Sequence, residues 1–401
     1  MKVVRIILVV INSLLLIHSI HFGFFALFPF IKKAVKREKI SNKKHVFRII
    51  IAARNEEKVL KPLIRSIEKQ KYDKDKYEIY VIPNNCTDNT KQIAIDMNCK
   101  ILEPNFSPKS KGEVLNYVFD KFKKNNDFDT YLIMDADNVL DPNFLEEINN
   151  KLNEGYKIVQ GFRDTKNLYQ NYITESYALF FYLQSLFLYE ARIRMGESST
   201  INGTGYAVLK EFIDDTSFRA KTVTEDIELT CVAALNREKV GYSRDAIFYD
   251  EQVTSFSVSM KQRKRWIQGL MQVWKTKHKE LLKKIKEKNT FQLTDQFFAL
   301  TLPIDQALVF VFLIVSYFLI IPYYMIIIGI LVGYIGEIIV SIFLTLYFKK
   351  DLKKLLPGIL FFPIFHISWI PIYIYSLFNT NNTWEEIKHN ESLEIEEIIG
   401  E

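Results

Sequence analysis

The sequence is poor in cysteine, and it lacks the glycine fingerprint of a dinucleotide-binding fold. Its 401 residues include three cysteines, and no two of them stand in a Cys-x-x-Cys spacing. Three scattered thiols cannot build a disulfide framework, and reduced thiols are typical of a cytosolic domain. No Gly-x-Gly-x-x-Gly follows the first predicted strand, which excludes a Rossmann-type oxidoreductase. The sequence also lacks internal repeats and low-complexity segments.

The chain has little excess of charge of one sign. Its 53 lysine and arginine residues against 47 acidic residues leave a formal net charge of +6. So small an excess does not indicate a nucleic-acid-binding protein, and a membrane accounts better for the basic runs. The 31 phenylalanines and 21 tyrosines are enough to bury a core, which excludes a disordered chain.

Long hydrophobic runs, in contrast, occur at both ends of the chain. Residues 1–31 are predicted to form an N-terminal transmembrane helix, because 6–31 contain no Lys, Arg, Asp or Glu. The run is too long for the core of a signal peptide, and no small-residue cleavage site follows it. By the positive-inside rule, the basic linker at 32–45 predicts that the chain continues in the cytosol. The linker then contacts anionic lipid, lies in solvent, or does both.

The segment 301–379 is predicted to be a C-terminal transmembrane region of two or three spans. Two spans are expected at about 304–321 and 324–348. A third apolar stretch at 355–378 contains three prolines, and it forms either a third span or a re-entrant or interfacial segment. The acidic tail at 380–401 lies outside the cell in the first case and inside it in the second.

The polar middle of the chain, at 46–300, has the pattern of an α/β domain. Short apolar runs predict strands, and apolar residues at helical spacing predict helices between them. The predicted strands are 46–52, 77–82 and 131–134, and the predicted helices are 57–69 and 91–97. This alternation favours a mostly parallel sheet covered on both faces, with ligands at the carboxyl ends of the strands. A basic amphipathic stretch at 275–288 predicts an interfacial helix at the end of the domain.

Asp135 and Asp137 form the sharpest chemical signal, because they directly follow the apolar run at 131–134. Two carboxylates at this spacing, beyond a strand, can share a divalent cation with an incoming diphosphate. The alternative is an ordinary turn before a helix that Asp141 caps.

Two further clusters have both a chemical and a structural interpretation. Glu225 and Asp226 precede a helical pattern, where they either favour the helix N-terminus or supply a general base for a hydroxyl. Gln262, Arg265 and Trp266 follow at helical spacing. A guanidinium suits a diphosphate and an indole suits a sugar ring, but a basic interfacial helix with a tryptophan anchor has the same composition.

Together the three clusters resemble the signature of the family 2 glycosyltransferases. Their order is similar to the membrane-embedded, processive-type branch, which includes cellulose, chitin, hyaluronan and poly-N-acetylglucosamine synthases. Other segments that match motifs of this branch are Ala53–Glu57, Asn84–Asp88, Lys111–Gly112, Asn202–Gly205, Tyr249–Gln252 and Thr383–His389.

The resemblance implies a GT-A fold, a nucleoside-diphosphate sugar donor, Mg²⁺ or Mn²⁺, and inversion at the anomeric carbon. It implies that Asp135 and Asp137 hold the metal. Asp226 is then the general base, and Glu225 orients or binds the acceptor. The implied donor and nucleotide site consists of Ala53, Arg54, Glu56, Asn84, Lys111 and Asp135. The implied acceptor and diphosphate site consists of Gly203, Thr204, Gly205, Gln262, Arg265 and Trp266.

Two positions depart from that branch. Asn84 stands where its bacterial subgroup has aspartate, which weakens the expectation of a uracil-reading pocket, since an amide offers a different donor pattern. Arg163 is retained within an otherwise changed segment at 161–167.

Three functions are compatible with these patterns. The first is processive synthesis of a polysaccharide, with UDP-N-acetylglucosamine or UDP-glucose as the favoured donor and a partner subunit or homo-oligomer to complete a channel. The second is transfer of one sugar to a lipid or lipid-linked acceptor. The third is a non-catalytic membrane scaffold, which the intact metal and base positions disfavour. In each case we expect a multi-pass protein of a bacterial plasma membrane, in contact with membrane lipids and not with nucleic acid.

Overall fold

A mixed sheet forms the centre of the chain. The structure is a computed structural model, and it describes residues 20–25, 27–31, 38–319, 323–381 and 389–400. Within those residues the sheet has eight strands, in the order β3-β2-β1-β4-β7-β6-β8-β5. The strands are β1 (Phe47–Ala53), β2 (Tyr77–Pro83), β3 (Lys100–Ile101), β4 (Thr130–Asp135), β5 (Val139–Leu140), β6 (Ile158–Thr165), β7 (Tyr206–Leu209) and β8 (Val240–Asp250).

The direction of the strands brings the ends of five of them to one edge of the sheet. Strands β1 to β4 are parallel, β7 runs antiparallel between β4 and β6, and β8 is parallel to β6. The carboxyl ends of β1, β2, β4, β6 and β8 therefore share an edge with the start of β7. Six of the eight strands share one direction, which agrees with the expectation of a mostly parallel sheet, and β5 and β7 run antiparallel to them.

Helices cover both faces of the sheet because its central strands are apolar on both sides. Ile49 and Ile51 pack with helices on one face, and Ile50 packs with helices on the other. The helices of the domain are α2 (Leu60–Glu68), α3 (Thr90–Asp96), α4 (Lys111–Phe122), α5 (Phe144–Asn153), α6 (Tyr172–Gln184), α7 (Ala191–Met195), α8 (Lys210–Thr216) and α9 (Glu225–Leu235). A π-helical segment, Ser185–Glu190, joins α6 to α7.

Long apolar helices follow the domain, and one precedes it. The C-terminal helices are α10 (Phe256–Lys288), α11 (Phe291–Leu319), α12 (Tyr323–Tyr347), α13 (Leu356–Ile367), α14 (Trp369–Phe378) and α15 (Ile395–Ile399). The N-terminal helix, α1, is Ile20–Ile31; residues 1–19 of the predicted N-terminal span lie outside the described residues. By length and composition, the segments that can cross a membrane are Phe291–Phe312, Tyr324–Tyr347 and Leu356–Phe378.

The third apolar stretch lies against the catalytic domain. It is broken between α13 and α14; α13 packs on α6, and α14 packs on α10 and α11. The Gly358 amide donates to the Glu175 carboxylate at 2.5 Å, a close approach that glycine allows. About 39% of this stretch is buried in the protein, against 6% of the α12 segment. Ser368, at the break, keeps helical φ and ψ, so α13 and α14 form one bent helix that packs partly on the domain.

The described part of the acidic tail returns to the catalytic domain. Glu394 pairs with Arg65 at 2.5 Å, and Glu396 pairs with Lys69 at 2.7 Å, so the tail neutralises basic side chains of α2. Ile395 is buried against Val139 of β5. The described end of the tail therefore packs on the catalytic domain.

Part of the predicted basic linker also contacts the domain. Residues 32–37 lie outside the described residues. Beyond them, Lys39 donates to Asn150 at 2.8 Å, and Lys43 pairs with Asp129 at 2.8 Å. These lysines pair with side chains on the surface of the domain, and both lysines stay exposed to solvent.

The loop before β7 depends on a glycine, and this dependence gives a test of the fold. Gly205 has φ +65°, and a Cβ there would meet the Phe248 ring at 2.2 Å. We expect Gly205→Ala to lower the free energy of unfolding by about 2–5 kcal/mol, since left-handed strain and overpacking add. Gly196→Ala is the matched control, because Gly196 has φ +78° and no atom within 4 Å of the added Cβ.

Thermal unfolding of both variants in detergent, followed by circular dichroism, measures the difference. We expect Gly196→Ala to lower the free energy of unfolding by only about 1–2 kcal/mol, because it adds left-handed strain without overpacking. Equal losses in the two variants would contradict the packing assigned to the loop.

Candidate active site

Most of the predicted site residues meet at the shared edge of the sheet, where they line a cavity of about 560 Å³. Those that line it are Ala53, Arg54, Glu56, Asn84, Lys111, Asp135, Asp137, Gly203, Glu225, Asp226, Gln262, Arg265 and Trp266. Thr204 and Gly205 are buried behind the wall instead. Their contribution is to hold the neighbouring side chains.

One wall of the cavity consists of the turns after β1 and β2, which are bonded to each other. The Thr87 amide donates to Asn55 Oδ1 at 2.8 Å, and the Glu56 amide donates to Thr90 Oγ1 at 2.8 Å. Asn55 adopts φ +56°, a conformation that asparagine tolerates better than most residues. The Asn84 amide donates to the Ala53 carbonyl at 2.7 Å. These bonds give a rigid cradle between two strand ends.

The turn after β4 is held by buried hydrogen bonds. The Asp135 amide donates to Thr204 Oγ1 at 2.8 Å and to Asn138 Oδ1 at 3.1 Å. Asn138 is fully buried, and its amide nitrogen donates to Asp250 Oδ1 at 2.7 Å. Lys111 contacts the Asp135 carboxylate directly. The two predicted metal carboxylates therefore lie on a turn that the loop before β7, the end of β8 and the start of α4 hold in place.

His389 enters this site from the tail, and sequence reasoning did not assign it a role. Its Nδ1 lies 3.1 Å from the Glu56 carboxylate, and its Nε2 lies 3.4 Å from Asp137 Oδ2. Burial raises the pKa of Asp137 to about 8 although His389 opposes the rise. Burial alone would lower the pKa of His389, but Asp137 and Glu56 raise it to about 10. The sequence signal that could have identified His389 is its position at the end of Thr383–His389, a segment that matches a motif of the processive-type branch.

The side chains around Asp137 suit a hard divalent cation. They are carboxylate oxygens, with one imidazole, and such cations prefer oxygen ligands supplemented by water and phosphate. Among the described residues, no group of three or more His, Cys, Asp or Glu side chains is arranged as a finished metal cage. The arrangement therefore fits a cation that a bound diphosphate would help to hold.

Glu225 and Asp226 form the first turn of α9, and both face the cavity. The Gly203 amide donates to Asp226 Oδ2 at 2.7 Å, and Lys111 Nζ lies 3.9 Å from Glu225 Oε1. Burial raises the pKa of Glu225 to about 8, and burial also raises the pKa of Asp226. Lys111 opposes both shifts. The geometry presents an oriented carboxylate beside a lysine, as a general base requires.

The Gln-x-x-Arg-Trp residues lie on the face of α10 that lines the cavity. Gln262 Oε1 accepts from the Tyr177 hydroxyl at 2.8 Å, and the Trp266 ring lies 6.2 Å from the Tyr177 ring, edge to face. Arg263 points the other way and is fully buried. Its guanidinium donates to Ser368 Oγ at 2.8 Å, at the break between α13 and α14. Helix α10 thus connects the site to the bent helix of α13 and α14.

Beyond Trp266 the same cavity becomes apolar. Its walls there come from α1, α6, the π-helical segment, α10, α11 and α14, and they include Phe22, Phe180, Leu188, Leu270, Leu300 and Trp369. Sequence reasoning missed this part, because its walls belong to elements that are far apart along the chain. One continuous space therefore joins the nucleotide cradle to the helices that can enter a membrane.

The chain is similar to known glycosyltransferases. A family model described as glycosyltransferase-like family 2 matches residues 45–269. The Bacillus subtilis protein named "Probable glycosyltransferase YdaM" is 26% identical over 365 residues, which cover 85% of this chain and 83% of that protein. A beta-monoglucosyldiacylglycerol synthase of Nostoc is 24% identical over 233 residues, which cover 55% of this chain. Those residues cover 48% of the synthase, so this match spans about half of its length.

A solved structure has the same fold. It is the mannosyltransferase PcManGT of Pyrobaculum calidifontis, determined with GDP-Man and Mn²⁺. The TM-score is 0.57 at 14% identity, and the likeness covers 92% of this chain and 96% of that one. Since the family model matches more than half of the sequence, the chain belongs to glycosyltransferase-like family 2, as a GT-A enzyme that uses a nucleotide sugar.

Proposed function

We propose that this enzyme transfers one sugar from a nucleoside-diphosphate sugar to a lipid acceptor held at the membrane surface. The observation that carries the proposal is the continuous cavity. Its polar end contains Asp137 and Asp226, and its apolar end lies among helices that can enter a membrane. An acyl chain gains about 0.8 kcal/mol for each buried CH₂, so such a wall favours a lipid over a soluble acceptor. The similarity to a beta-monoglucosyldiacylglycerol synthase supports the same acceptor class.

The donor would bind at the polar end. Ala53 and Asn84 form the cradle for the nucleoside, and Lys111 and Arg265 offer positive charge to the diphosphate. Asp137 and Asp135 would hold Mg²⁺ or Mn²⁺, and His389 would orient Asp137 through the contact of 3.4 Å. A bound divalent cation would stabilise the charge that develops on the leaving nucleoside diphosphate.

The acceptor hydroxyl would be activated by Asp226. Its carboxylate accepts the hydroxyl proton while the oxygen attacks the anomeric carbon from the side opposite the diphosphate, so the configuration inverts. The Gly203 amide orients Asp226 through the hydrogen bond of 2.7 Å. Glu225, next to it, would bind or orient the acceptor.

The proposed membrane topology has two crossings after the domain. Helix α11 leaves the domain and α12 returns to it, since Lys350 binds Asp164 at 2.8 Å just beyond the end of α12. The bent helix of α13 and α14, together with the basic end of α10, would lie at the membrane surface. This topology keeps the catalytic domain and the tail together on the cytosolic face of a bacterial plasma membrane.

Processive synthesis of a polysaccharide is the second candidate. The observation in its favour is the pair of indole rings of Trp266 and Trp369, whose centroids are 6.4 Å apart in the cavity wall. Such aromatic faces also suit successive sugar rings. In that case a partner subunit or a second copy of the chain would complete the channel.

Product size distinguishes the two candidates. We expect the purified full-length protein, in lipid nanodiscs with Mn²⁺ or Mg²⁺, to release nucleoside diphosphate from one member of a panel of UDP-glucose, UDP-N-acetylglucosamine and GDP-mannose. Mass spectrometry should then find one sugar on an extractable lipid, and none with Asp137→Ala. Long water-soluble chains would overturn the lipid proposal in favour of the second candidate. Transfer that persists in Asp137→Ala would overturn the site assignment.

His389→Ala tests the contribution of the tail. We expect turnover to fall by about 10–100-fold and the Mn²⁺ concentration for half-maximal activity to rise, because the variant removes an imidazole beside Asp137. Asn390→Ala is the matched control, since the Asn390 side chain binds exposed Lys58 at 2.8 Å. Metal titrations of both variants provide the comparison. Equal metal dependence in the two variants would remove His389 from the metal site.

Lys111→Gln tests the electrostatics of the base. The pKa of Asp226 is raised by burial, and Lys111 lowers it. Turnover at saturating donor should therefore fall on acidification, as Asp226 takes up a proton, and the fall should begin at a higher pH in Lys111→Gln. The pH profile of kcat measures this shift. An unchanged or lower acid midpoint would show that Asp226 is not the titrating base.

A further inference from the structure

The π-helical segment Ser185–Glu190 shapes one wall of the cavity. The Ala191 amide donates to the Leu186 carbonyl, five residues back, which is the hydrogen bond of a π-helix. Such wide turns are rare and are often found at functional sites. Here the turn places Tyr189 against Gln184, and the Tyr189 hydroxyl donates to Gln184 Oε1 at 3.0 Å. Both side chains line the cavity.

Tyr189 is a neutral hydrogen-bonding group near the base. Burial raises its pKa to about 12, and the Asp226 charge adds to the rise. The phenol therefore stays protonated at neutral pH, and its hydroxyl is able to exchange hydrogen bonds with an uncharged ligand.

A third polar side chain, Gln296 of α11, lines the same cavity and is only 6% exposed. Within the described part of the chain its side chain forms no hydrogen bond. Its amide is therefore free to exchange hydrogen bonds with a ligand in the cavity.

The neighbouring charges are already neutralised. Arg192 donates to Asp295 through two bonds, at 2.7 and 2.9 Å, and His21 of α1 contacts Asp295 at 2.9 Å. Arg163 donates to the Asn202 carbonyl at 2.6 Å and lies 3.7 Å from Asp250. This ion pairing fixes the face of α11 that carries Gln296. It also leaves the apolar end of the cavity without a cation dedicated to a phosphate.

We propose that Gln184, Tyr189 and Gln296 form a subsite for the uncharged headgroup of the acceptor lipid, an alcohol with neighbouring ester carbonyls. This inference rests on the proposed function and specifies its acceptor. The amide nitrogens of Gln184 and Gln296 donate to the carbonyls, and the free hydroxyl of the lipid reaches Asp226. The Tyr189 hydroxyl donates to Gln184 Oε1, so it orients that amide towards the ligand. A lipid phosphate is disfavoured, because the carboxylates of Glu225 and Asp226 line the same cavity and a phosphate needs no base.

The acceptor class is tested with the full chain in phosphatidylcholine nanodiscs and the donor that it hydrolyses. We expect glycosylated 1,2-dioleoylglycerol. On undecaprenyl phosphate we expect at least about tenfold less product, because a charged headgroup does not fit the uncharged subsite. A tenfold difference corresponds to about 1.4 kcal/mol. Product on undecaprenyl phosphate alone would overturn the uncharged subsite and leave the lipid acceptor standing. Donor consumption that yields only polysaccharide would overturn the proposed function itself.

Two variants test the residues. Gln296→Leu and Tyr189→Phe should each raise the KM for dioleoylglycerol by about tenfold, with a smaller change in the KM for the donor. Gln292→Leu is the matched control, because Gln292 is buried one turn earlier on α11, donates to the Glu238 carbonyl at 2.7 Å and does not line the cavity. The same acceptor KM in the control and in both variants would overturn the subsite. If Gln296→Leu fails to fold, Tyr189→Phe still tests the subsite. Tyr189→Phe removes only a hydroxyl group, and Tyr189 does not belong to α11.

Discussion

Burial of carboxylates at one edge of the sheet is the constraint on which the site depends. Asp137, Glu225 and Asp226 lie where water solvates them poorly, and each such ion costs several kcal/mol unless cations or donors compensate it. The compensation comes from elements distant in sequence, since Lys111 begins α4 and His389 belongs to the tail. Docking of the tail is therefore part of the electrostatics of the site.

Helix α10 connects this chemistry to the membrane-facing part of the molecule. Its cavity face carries Gln262 and Trp266, while the adjacent Arg263 is buried against the bent helix of α13 and α14. One helix thus positions the acceptor end of the cavity and the surface that is proposed to meet lipid. The basic residues at its end suit the headgroup region of a membrane.

Local patterns predicted the strand ends well. Asp135 and Asp137 follow an apolar run in the sequence. In the structure Asp135 ends β4 and Asp137 lies in the turn after it, because strand periodicity and turn chemistry act over a few residues. Helix α9 begins at Glu225, as the acidic pair Glu225 and Asp226 indicated. The antiparallel β7 was not predicted, because Tyr206–Leu209 is short and its direction depends on the strands beside it.

The sequence by itself determined the α/β class, the carboxylates at the strand ends and the presence of long apolar helices, since composition and periodicity report local structure and burial. Only the tertiary structure decided that the third apolar stretch packs on the domain, that the tail returns to it, and that His389 meets Asp137. Only the tertiary structure brought Gln296 into the cavity that contains Asp226. These contacts join residues far apart along the chain, and such pairings depend on how whole elements pack.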